Sequence, residues 1–293
     1  GVFGVHGLFD EFKIVGEESI LGGALKDWNV PDDNTTVASP NANPAITNED
    51  SSRIALFLIE QYDLNEDTTV NAGIRWEQID RKYEATENID DDDSTFSASA
   101  GISKELSELW NLSGNVSYSE RTPDSAELYS DGAHHATEAY EIGNPNLKNE
   151  SAVGVELIVR KTVGKVTGQF SAFHTKYNDY IFLEHSPNER GTDGNPKNTD
   201  VYSPGGFAPG VEGLEEKAYE SVDAEFQGFE VEIDWLAMEN PGWDLLLSFY
   251  GDTLRGKNKT EGGNLPRIPA SRLGVGFEVM QENLDFGLKL TRS

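Results

Sequence analysis

The sequence predicts an all-β protein, a run of antiparallel strands that cross a membrane as part of the wall of a β-barrel. Three observations lead to this prediction: apolar and polar residues alternate with a period of two, short and long connectors alternate along the chain, and aromatic residues stand beside the connectors. No window reaches the roughly 18 consecutive apolar residues of a membrane helix. A barrel strand faces lipid only with every second residue, so it is far less apolar as a whole than a membrane helix.

The period of two is clearest in Ala152–Arg160 and Phe229–Trp235. Side chains alternate between the two faces of a strand, so each segment would have one apolar and one polar face. We expect the residues that face lipid to include Val153, Val155, Leu157, Val159, Phe229, Val231 and Ile233. The residues expected to face water inside the barrel include Glu156, Glu230, Glu232 and Asp234.

Eleven candidate strands follow from this alternation. They lie at about 2–14, 52–63, 67–82, 94–105, 109–121, 150–162, 165–183, 217–236, 243–257, 268–280 and 284–293. Single-chain bacterial barrels have an even number of strands, and an open edge in lipid leaves backbone groups unpaired. We therefore expect residues 1–293 to be one partial barrel domain of a longer protein.

The connectors between these strands alternate in length. The short ones are Asn65-Glu66, Leu106–Glu108, Val163–Lys165, Ala237–Gly242 and Gln281–Asn283. The long ones are 15–51, 83–93, 122–149, 184–216 and 258–267. Short periplasmic turns and long external loops are typical of an outer-membrane barrel, so the long connectors should emerge at one end.

Aromatic residues support the same orientation. Those beside the short turns are Tyr62, Trp110, Trp235 and Trp243, and those at the opposite strand ends are Tyr83, Tyr118, Tyr177 and Tyr180. Membrane proteins place such residues in belts at both lipid–water interfaces. Turn-flanking aromatic residues are also common in other β proteins, which is the alternative interpretation.

Composition limits the function. The formal net charge of −29 argues against nucleic acid as a partner, because DNA binding depends on Lys and Arg. The acidic surface would attract cations, or would only keep the protein soluble. No Cys is present, so any bound metal would be held by His and carboxylate ligands. No catalytic motif stands in a suitable strand-to-helix context, and we predict no enzyme.

The most informative segment is Glu120–Glu150, a long connector that retains apolar residues such as Leu128 and Tyr140. It contains the only adjacent histidine pair of the chain, surrounded by acids. Imidazole and carboxylate groups suit Zn²⁺ or a similar divalent ion. The candidate metal ligands are His134, His135, Glu127, Asp131 and Glu141. Adjacent histidines on an extended chain point in opposite directions, so polar loop residues without a metal remain the alternative. His185 would complete a site if the two loops meet.

A second acidic connector, Tyr83–Asp93, contains four consecutive aspartates and no basic residue. Such a run would concentrate cations at the mouth of the barrel, or would only be a solvated tip.

The run ERTPDSAELYSDGAHHATEAYEIGNPNLKNES resembles the long loop of TonB-dependent outer-membrane receptors, with R-x-P-x-x-x-E-L-Y at its start and E-x-G-N-x-x-L-x-x-E at its end. The segments VTGQFSAFHTKYNDYIFLE, FQGFEVEIDW and LPRIPASRLGVGFE resemble barrel strands of the same receptors. These blocks lie in order between residues 120 and 280. Within that family the chain looks most like the ZnuD-like zinc receptors, through Glu127-Leu128-Tyr129 and His135-Ala136-Thr137.

The resemblance implies a 22-stranded barrel in the outer membrane of a Gram-negative bacterium, filled by an N-terminal plug and coupled to TonB. We expect about 11 of those strands here, with the plug and the terminal strands outside residues 1–293. The expected function is energised uptake of a metal ion, with Zn²⁺ as the transported ligand rather than a cofactor, or of a metal chelate. The alternatives are a siderophore or haem receptor, and an outer-membrane adhesin that transports nothing.

Overall fold

The computed structural model describes residues 2–12, 48–84, 88–134, 137–191, 213–282 and 284–293. Across these residues the chain is almost entirely β-structure, which confirms the predicted all-β class. None of the helices among them combines the length and the apolar character needed to cross a bilayer.

Thirteen strands and one short helix make up the described structure. The strands are β1 (Val2–Phe12), β2 (Asn48–Asn65), β3 (Thr68–Glu84), β4 (Asn88–Ser107), β5 (Trp110–Arg121), β6 (Asp131–His134), β7 (Ala139–Ile142), β8 (Glu150–Lys161), β9 (Val166–Gly191), β10 (Gly213–Asn240), β11 (Trp243–Asn258), β12 (Arg272–Gln281) and β13 (Asp285–Arg292). The helix α1 (Ser125–Tyr129) lies between β5 and β6.

Eleven of the strands pair in the order β1-β2-β3-β4-β5-β8-β9-β10-β11-β12-β13, and every neighbouring pair is antiparallel. These are the eleven predicted strands. Sequential antiparallel pairing brings alternate connectors to opposite ends of the sheet, so the predicted long connectors share one end. The short strands β6 and β7 inside 122–149 were not predicted.

The short connectors are confirmed as turns of two to four residues, including Glu66-Asp67 and Pro241-Gly242. Gly242 has φ +90° and Gly164 has φ +102°, a conformation that other residues adopt only with strain. The prediction of a long loop at 83–93 was wrong, because β3 and β4 continue as paired strands to Glu84 and Asn88. The predicted long connectors 15–51 and 184–216 lie largely outside the described residues.

One face of the sheet is apolar and accessible, and we call it the apolar face. Val155 is 50% exposed and Phe229 is 45% exposed, although both are large hydrophobic side chains. Val153, Leu157 and Ile233 share this face and are also exposed. Lipid would cover such a surface, since soluble proteins rarely expose a continuous apolar patch of this size. The predicted side-chain alternation is therefore confirmed.

The opposite, polar face carries networks of hydrogen bonds between neighbouring strands. Ser113 Oγ donates to Asn111 Oδ1 at 2.9 Å and contacts Ser103 Oγ at 3.0 Å. Arg160 donates to Gln169 Oε1 at 2.6 Å. The predicted inner residues Glu156, Glu230, Glu232 and Asp234 lie on this face by strand alternation.

The apolar band drifts along the strands from one side of the sheet to the other. Hydrogen-bonded neighbours connect Leu58 in β2, through Val153 in β8, to Lys257 in β11. Leu58 lies at the centre of the apolar band of its strand, whereas the band of β11 is centred near Leu247, ten residues below Lys257. With strands about 4.8 Å apart and a rise of about 3.3 Å per residue, this drift means a strand tilt of roughly 45°. Transmembrane barrels have tilts of this size.

Aromatic residues mark one edge of the band as predicted. Tyr62, Trp110, Trp235 and Trp243 are exposed beside the short turns. At the other edge, Trp76 and Phe96 are exposed on the apolar face. The centres of the Phe96 and Tyr118 rings are 6.4 Å apart. The prediction was wrong for Tyr177 and Tyr180, which pack into a cluster described below. The side chain of Tyr83 lies outside the described residues.

Candidate functional site

The connector 122–149 folds into a compact unit, which we call the β5–β8 loop. Asp124 caps α1 and accepts from the backbone N–H of Glu127, while the Glu127 carboxylate accepts from the N–H of Asp124. Arg121 at the end of β5 holds the same carboxylate with two contacts of 2.7 and 3.1 Å, and reaches Glu150 at 3.3 Å. The start and the end of the loop are thus joined by one guanidinium group.

The second half of the loop is the hairpin of β6 and β7, and β7 pairs in parallel with residues Glu215–Ala218 of β10. Tyr140 and Glu141 in β7 are each only 2% exposed. Gly143 then passes so close to the backbone of Leu128 and Tyr129 that a Cβ would collide with it. The loop therefore begins at β5, extends as far as β10, beyond β8 and β9 in the sheet order, and returns to the start of β8.

A second guanidinium fixes the base of the loop to β3. Arg81 is 3% exposed and donates to the Pro123 carbonyl, to Thr122 Oγ1 at 3.3 Å and to Asp91 Oδ2 at 2.8 Å. Asn149, at the other end of the loop, donates to Asp93 Oδ1 at 3.0 Å. Two members of the acidic run therefore act as anchors, and the prediction of a purely solvated tip was wrong for Asp91 and Asp93.

Of the predicted metal ligands, the structure brings His134 and Glu141 together. His134 Nδ1 lies 3.0 Å from Glu141 Oε1, across the β6–β7 pair. Thr137 Oγ1 donates to the same Glu141 oxygen at 2.6 Å. The His134 side chain is 33% exposed as a whole, but its Nδ1 atom and the Glu141 carboxylate are both buried.

The other predicted ligands lie apart from this pair or are engaged elsewhere. Glu127 is held by Arg121, and Asp131 Oδ1 accepts from the Tyr140 hydroxyl at 2.9 Å. His135 lies outside the described residues. Within the part of the chain that is described, no group of three or more His or carboxylate side chains is arranged to hold a metal. The five-residue metal site stays a prediction.

His185 does not approach His134. It pairs with Lys217 in the sheet and its Nδ1 lies 3.1 Å from Glu215 Oε1. From β9 the path to β6 runs across β10 and β7, which is three strand spacings or about 14 Å. The loops do meet at β10, but not in a way that places both imidazoles on one ion. The side chain of His6 lies outside the described residues.

Glu216 and Arg190 secure the far side of the loop. The Arg190 Nε donates to Glu216, and the guanidinium lies 5.4 Å from the centre of the Tyr140 ring. Burial raises the pKa of the Glu216 carboxyl, but hydrogen bonds from Arg190, Asn188 and Ser186 outweigh this, and its pKa lies below the usual range. The ionised carboxylate is therefore the stable form here.

An aromatic cluster lies near the loop on the long parts of β9 and β10. The rings of Tyr177, Tyr180 and Phe226 contact one another with centroids 5.1 to 5.3 Å apart. They pack with Val222, Ala224, Phe182, Leu265 and Ile268. Leu265 and Ile268 belong to the connector after β11, so that connector folds back over the rings.

Tyr219 lies nearby in β10. Burial raises the pKa of its hydroxyl, and the negative charges of Glu141, Asp124 and Glu127 raise it further.

Sequence reasoning missed Arg81, Glu216 and the aromatic cluster. Arg81 and Glu216 fell at the predicted ends of strands, where nothing distinguishes a buried ion pair from a solvated one. Tyr177 and Tyr180 were noted as aromatic residues at strand ends but were assigned to a lipid interface, and Phe226 was not singled out. Their packing depends on residues 265–268, which are distant in sequence.

Comparison with known proteins agrees with this architecture. The model of a family described as "TonB dependent receptor-like, beta-barrel" matches residues 4–291. Members of that family are transport receptors of the Gram-negative outer membrane.

Solved structures share the fold. The copper transporter OprC has a TM-score of 0.61 at 15% identity, covering 82% of this chain and 34% of that one. The hemophore receptor HasR of Serratia marcescens, solved with HasA and heme, has a TM-score of 0.59 at 16% identity, covering 83% of this chain and 44% of that one. The FrpB iron transporter of Neisseria meningitidis has a TM-score of 0.56 at 16% identity, covering 99% of this chain and 39% of that one. This chain therefore spans less than half the length of each.

Proposed function

Because the chain belongs to the TonB-dependent receptor-like β-barrel family, we propose that its protein takes up a metal ion, or a metal held in a chelate, across the outer membrane with energy delivered through TonB. In this proposal the apolar face contacts lipid and the polar face lines the lumen. The long connectors then lie outside the cell, where the β5–β8 loop meets the solute first. A plug and TonB contacts would come from other parts of the protein.

The observation that supports a metal is the pair of His134 and Glu141. Two donors at about 2.0–2.2 Å from one tetrahedral Zn²⁺ lie about 3.3–3.6 Å apart, so the pair, at 3.0 Å, would have to open by a few tenths of an ångström to hold the ion. The pair supplies one nitrogen and one oxygen ligand, so the remaining ligands of Zn²⁺ would come from His135, the plug or the chelate. Metal binding releases the protons of its ligands, so zinc affinity should fall as the pH is lowered.

A second candidate solute is a siderophore or haem. The observation in its favour is the cluster of Tyr177, Tyr180 and Phe226, since aromatic side chains line the sites of many organic ligands. These rings are partly covered by Leu265 and Ile268. A planar ligand would therefore have to displace the connector after β11.

Zinc titration of the full receptor with His134 and His135 both changed to Ala tests the metal proposal. We expect weaker Zn²⁺ binding and slower growth under zinc limitation, while His185→Ala, matched in residue type and also beside a glutamate, should leave both unchanged. Unchanged zinc affinity in the double variant would contradict the metal loop. Uptake of haem or a ferric chelate with no response to zinc would favour the second candidate, and no uptake at all would favour an adhesin.

A further inference from the structure

Basic side chains are concentrated beyond the apolar band on β9 and β11, on either side of β10. Lys176, Arg255, Lys257 and Lys259 are all exposed there, and we call this group the cationic border. The first three lie on the apolar face by strand alternation. Arg255 pairs with Gln227, and Lys176 and Lys257 pair with Glu225, and these two β10 residues are on the same face as Phe229. Lys259 follows β11 and reaches the same Glu225. The group is at the end of the sheet that carries the long connectors.

The spacing of the cationic border follows from the sheet register. Lys176 and Lys257 flank Glu225 in one row, so their Cα atoms are about 10 Å apart, and Arg255 lies about 7 Å further down its strand. Below this row the same face continues directly into Phe229, Val231 and the rest of the apolar band. A lipid molecule lying against the band would therefore have its headgroup at the cationic border.

The nearby acids do not neutralise the group. Glu225 is already engaged, with His174 Nε2 at 2.8 Å and Lys259 Nζ at 3.0 Å. Asp223, the other acid beside it, bonds to Lys259 and Thr260 through its backbone and is exposed. Across the described residues, Lys176, Arg255 and Lys257 form no ion pair with a carboxylate.

This excess of cations is unusual in an acidic chain. The sequence has 23 Lys and Arg against 52 Asp and Glu, so three unpaired cations on one small patch oppose the overall charge. At the matching border of β3–β5 the outward residues are mostly acidic, namely Asp80, Asp92 and Glu120, with Lys82 as a cation beside Asp80. A need for solubility would not select cations at one side of the border and acids at the other.

We propose that the cationic border binds the phosphate groups of lipid headgroups in the outer leaflet. Phosphate is the anion that a membrane places at this depth, and Arg255 can bind it with two parallel hydrogen bonds while the lysines act as point charges. Each basic residue near an anionic lipid surface contributes about 1 kcal/mol, or about fivefold in affinity. The inference rests on the placement of the barrel in the outer membrane and is independent of the transported solute.

Lipid binding by the full receptor in detergent tests this proposal. Native mass spectrometry would compare diphosphorylated lipid A with its dephosphorylated form, for the unchanged receptor and for Lys176→Gln/Arg255→Gln/Lys257→Gln. We expect the unchanged receptor to prefer the phosphorylated lipid, and the triple variant to lose roughly 100-fold in affinity for it. The matched control is Lys104→Gln/Lys161→Gln/Lys165→Gln, which removes three cations near the short turns and should bind as the unchanged receptor does.

Three outcomes would overturn the proposal: equal binding of the two lipids, equal loss in both triple variants, or saturation of the site by inorganic phosphate at the same concentration as the lipid. The single variants Lys176→Gln, Arg255→Gln and Lys257→Gln, each expected to lose about fivefold, replace the triple variant if its barrel does not fold. Zinc uptake should be unchanged in these variants, so failure here is distinguishable from failure of the proposed function.

Discussion

The two sides of the sheet differ at the end that carries the long connectors. On β3–β5 the outward residues above the apolar band are mostly acidic, with Asp80 directly opposite Asp92 and Lys82 as the neighbouring cation. On β9 and β11 the corresponding residues are the cationic border, with Glu225 of β10 between Lys176 and Lys257. Like charges opposite each other destabilise a strand pair, and on each side one residue of the opposite charge lies among the like-charged ones.

The other face of the same strands holds the rest of the acidic run. Alternation splits the acidic run into two sets, in which Asp92 faces outward while Asp91 and Asp93 face Arg81 and Asn149. The inward set anchors the β5–β8 loop at β3 and β4. The far side of the loop is secured by Glu216 and Arg190 in β9 and β10. The loop therefore spans the sheet between two ionic anchors, one with a buried guanidinium at Arg81 and one with a buried carboxylate at Glu216.

The largest effect should follow from removing the Arg81 anchor. Arg81→Met would leave Asp91 and the Pro123 carbonyl without their donor, and because Asp91 is 34% exposed we expect the lower end of the about 3–5 kcal/mol that breaking a buried pair costs. We expect amide hydrogen exchange in 122–130 to become much faster. Arg75→Met removes a guanidinium that is 37% exposed and paired with Glu77, and it should cost at most about 1 kcal/mol. Equal protection in both variants would show that the loop does not depend on Arg81.

The position of the cationic border in the membrane can be tested by placing an arginine at two different depths on β8. Leu157→Arg puts a cation within the apolar band and should destabilise the barrel by about 2–4 kcal/mol, measured by urea unfolding in lipid vesicles. Val153→Arg lies in the row of Lys176, at the border, and should cost about 0–1 kcal/mol. Ile158→Arg, on the polar face, is the control for the substitution itself. A larger cost for Val153 than for Leu157 would place the centre of the apolar band of β8 nearer Val153 and contradict the position of the border.

A smaller effect is expected where the loop passes over its own helix. Gly143→Ala would bring a Cβ against the backbone of Leu128 and Tyr129, and overpacking of this kind costs about 1–3 kcal/mol. Gly114→Ala is the matched control, because its Cβ would meet only the Glu156 carbonyl at 3.8 Å. Thermal unfolding of the two variants should differ accordingly. Identical midpoints would mean that the loop relaxes without cost.

Much of this structure could be predicted from the sequence because a period of two reports directly on a strand and its faces. The eleven wall strands, the short turns and the apolar residues such as Val155 all followed from it. The hairpin of β6 and β7 did not, because four-residue strands owe their stability to a partner, here β10, that is distant in sequence. Asp91 was assigned to a loop for the same reason: its partner Arg81 is known only once β3 and β4 are paired.

The candidate site was predictable only in part. His134 and Glu141 were chosen for their chemistry, and the β6–β7 pairing places them 3.0 Å apart. Glu127 and Asp131 have the same chemistry but are engaged by Arg121 and Tyr140. The sequence shows which residues have the chemistry of a metal ligand. It does not show which of their carboxylates already bind another side chain, because that depends on tertiary contacts.

The smallest effect concerns the Glu216 anchor and its response to pH. The pKa of Glu216 is lowered in the folded protein, so the carboxylate stabilises the fold above its ordinary value of about 4.5, and this contribution is lost as pH falls through the folded pKa. We expect amides 139–142 of β7, which pairs with the Glu216 segment, to lose protection on acidification below about pH 4.5. Glu216→Gln should already show the reduced protection at neutral pH and little further change on acidification. Glu239→Gln, which removes an exposed carboxylate paired with Lys165, should behave as the unchanged protein does. An unaltered pH response in Glu216→Gln would mean that β7 is held to β10 by its backbone pairing alone, and that only the Arg81 side of the loop is anchored by charge.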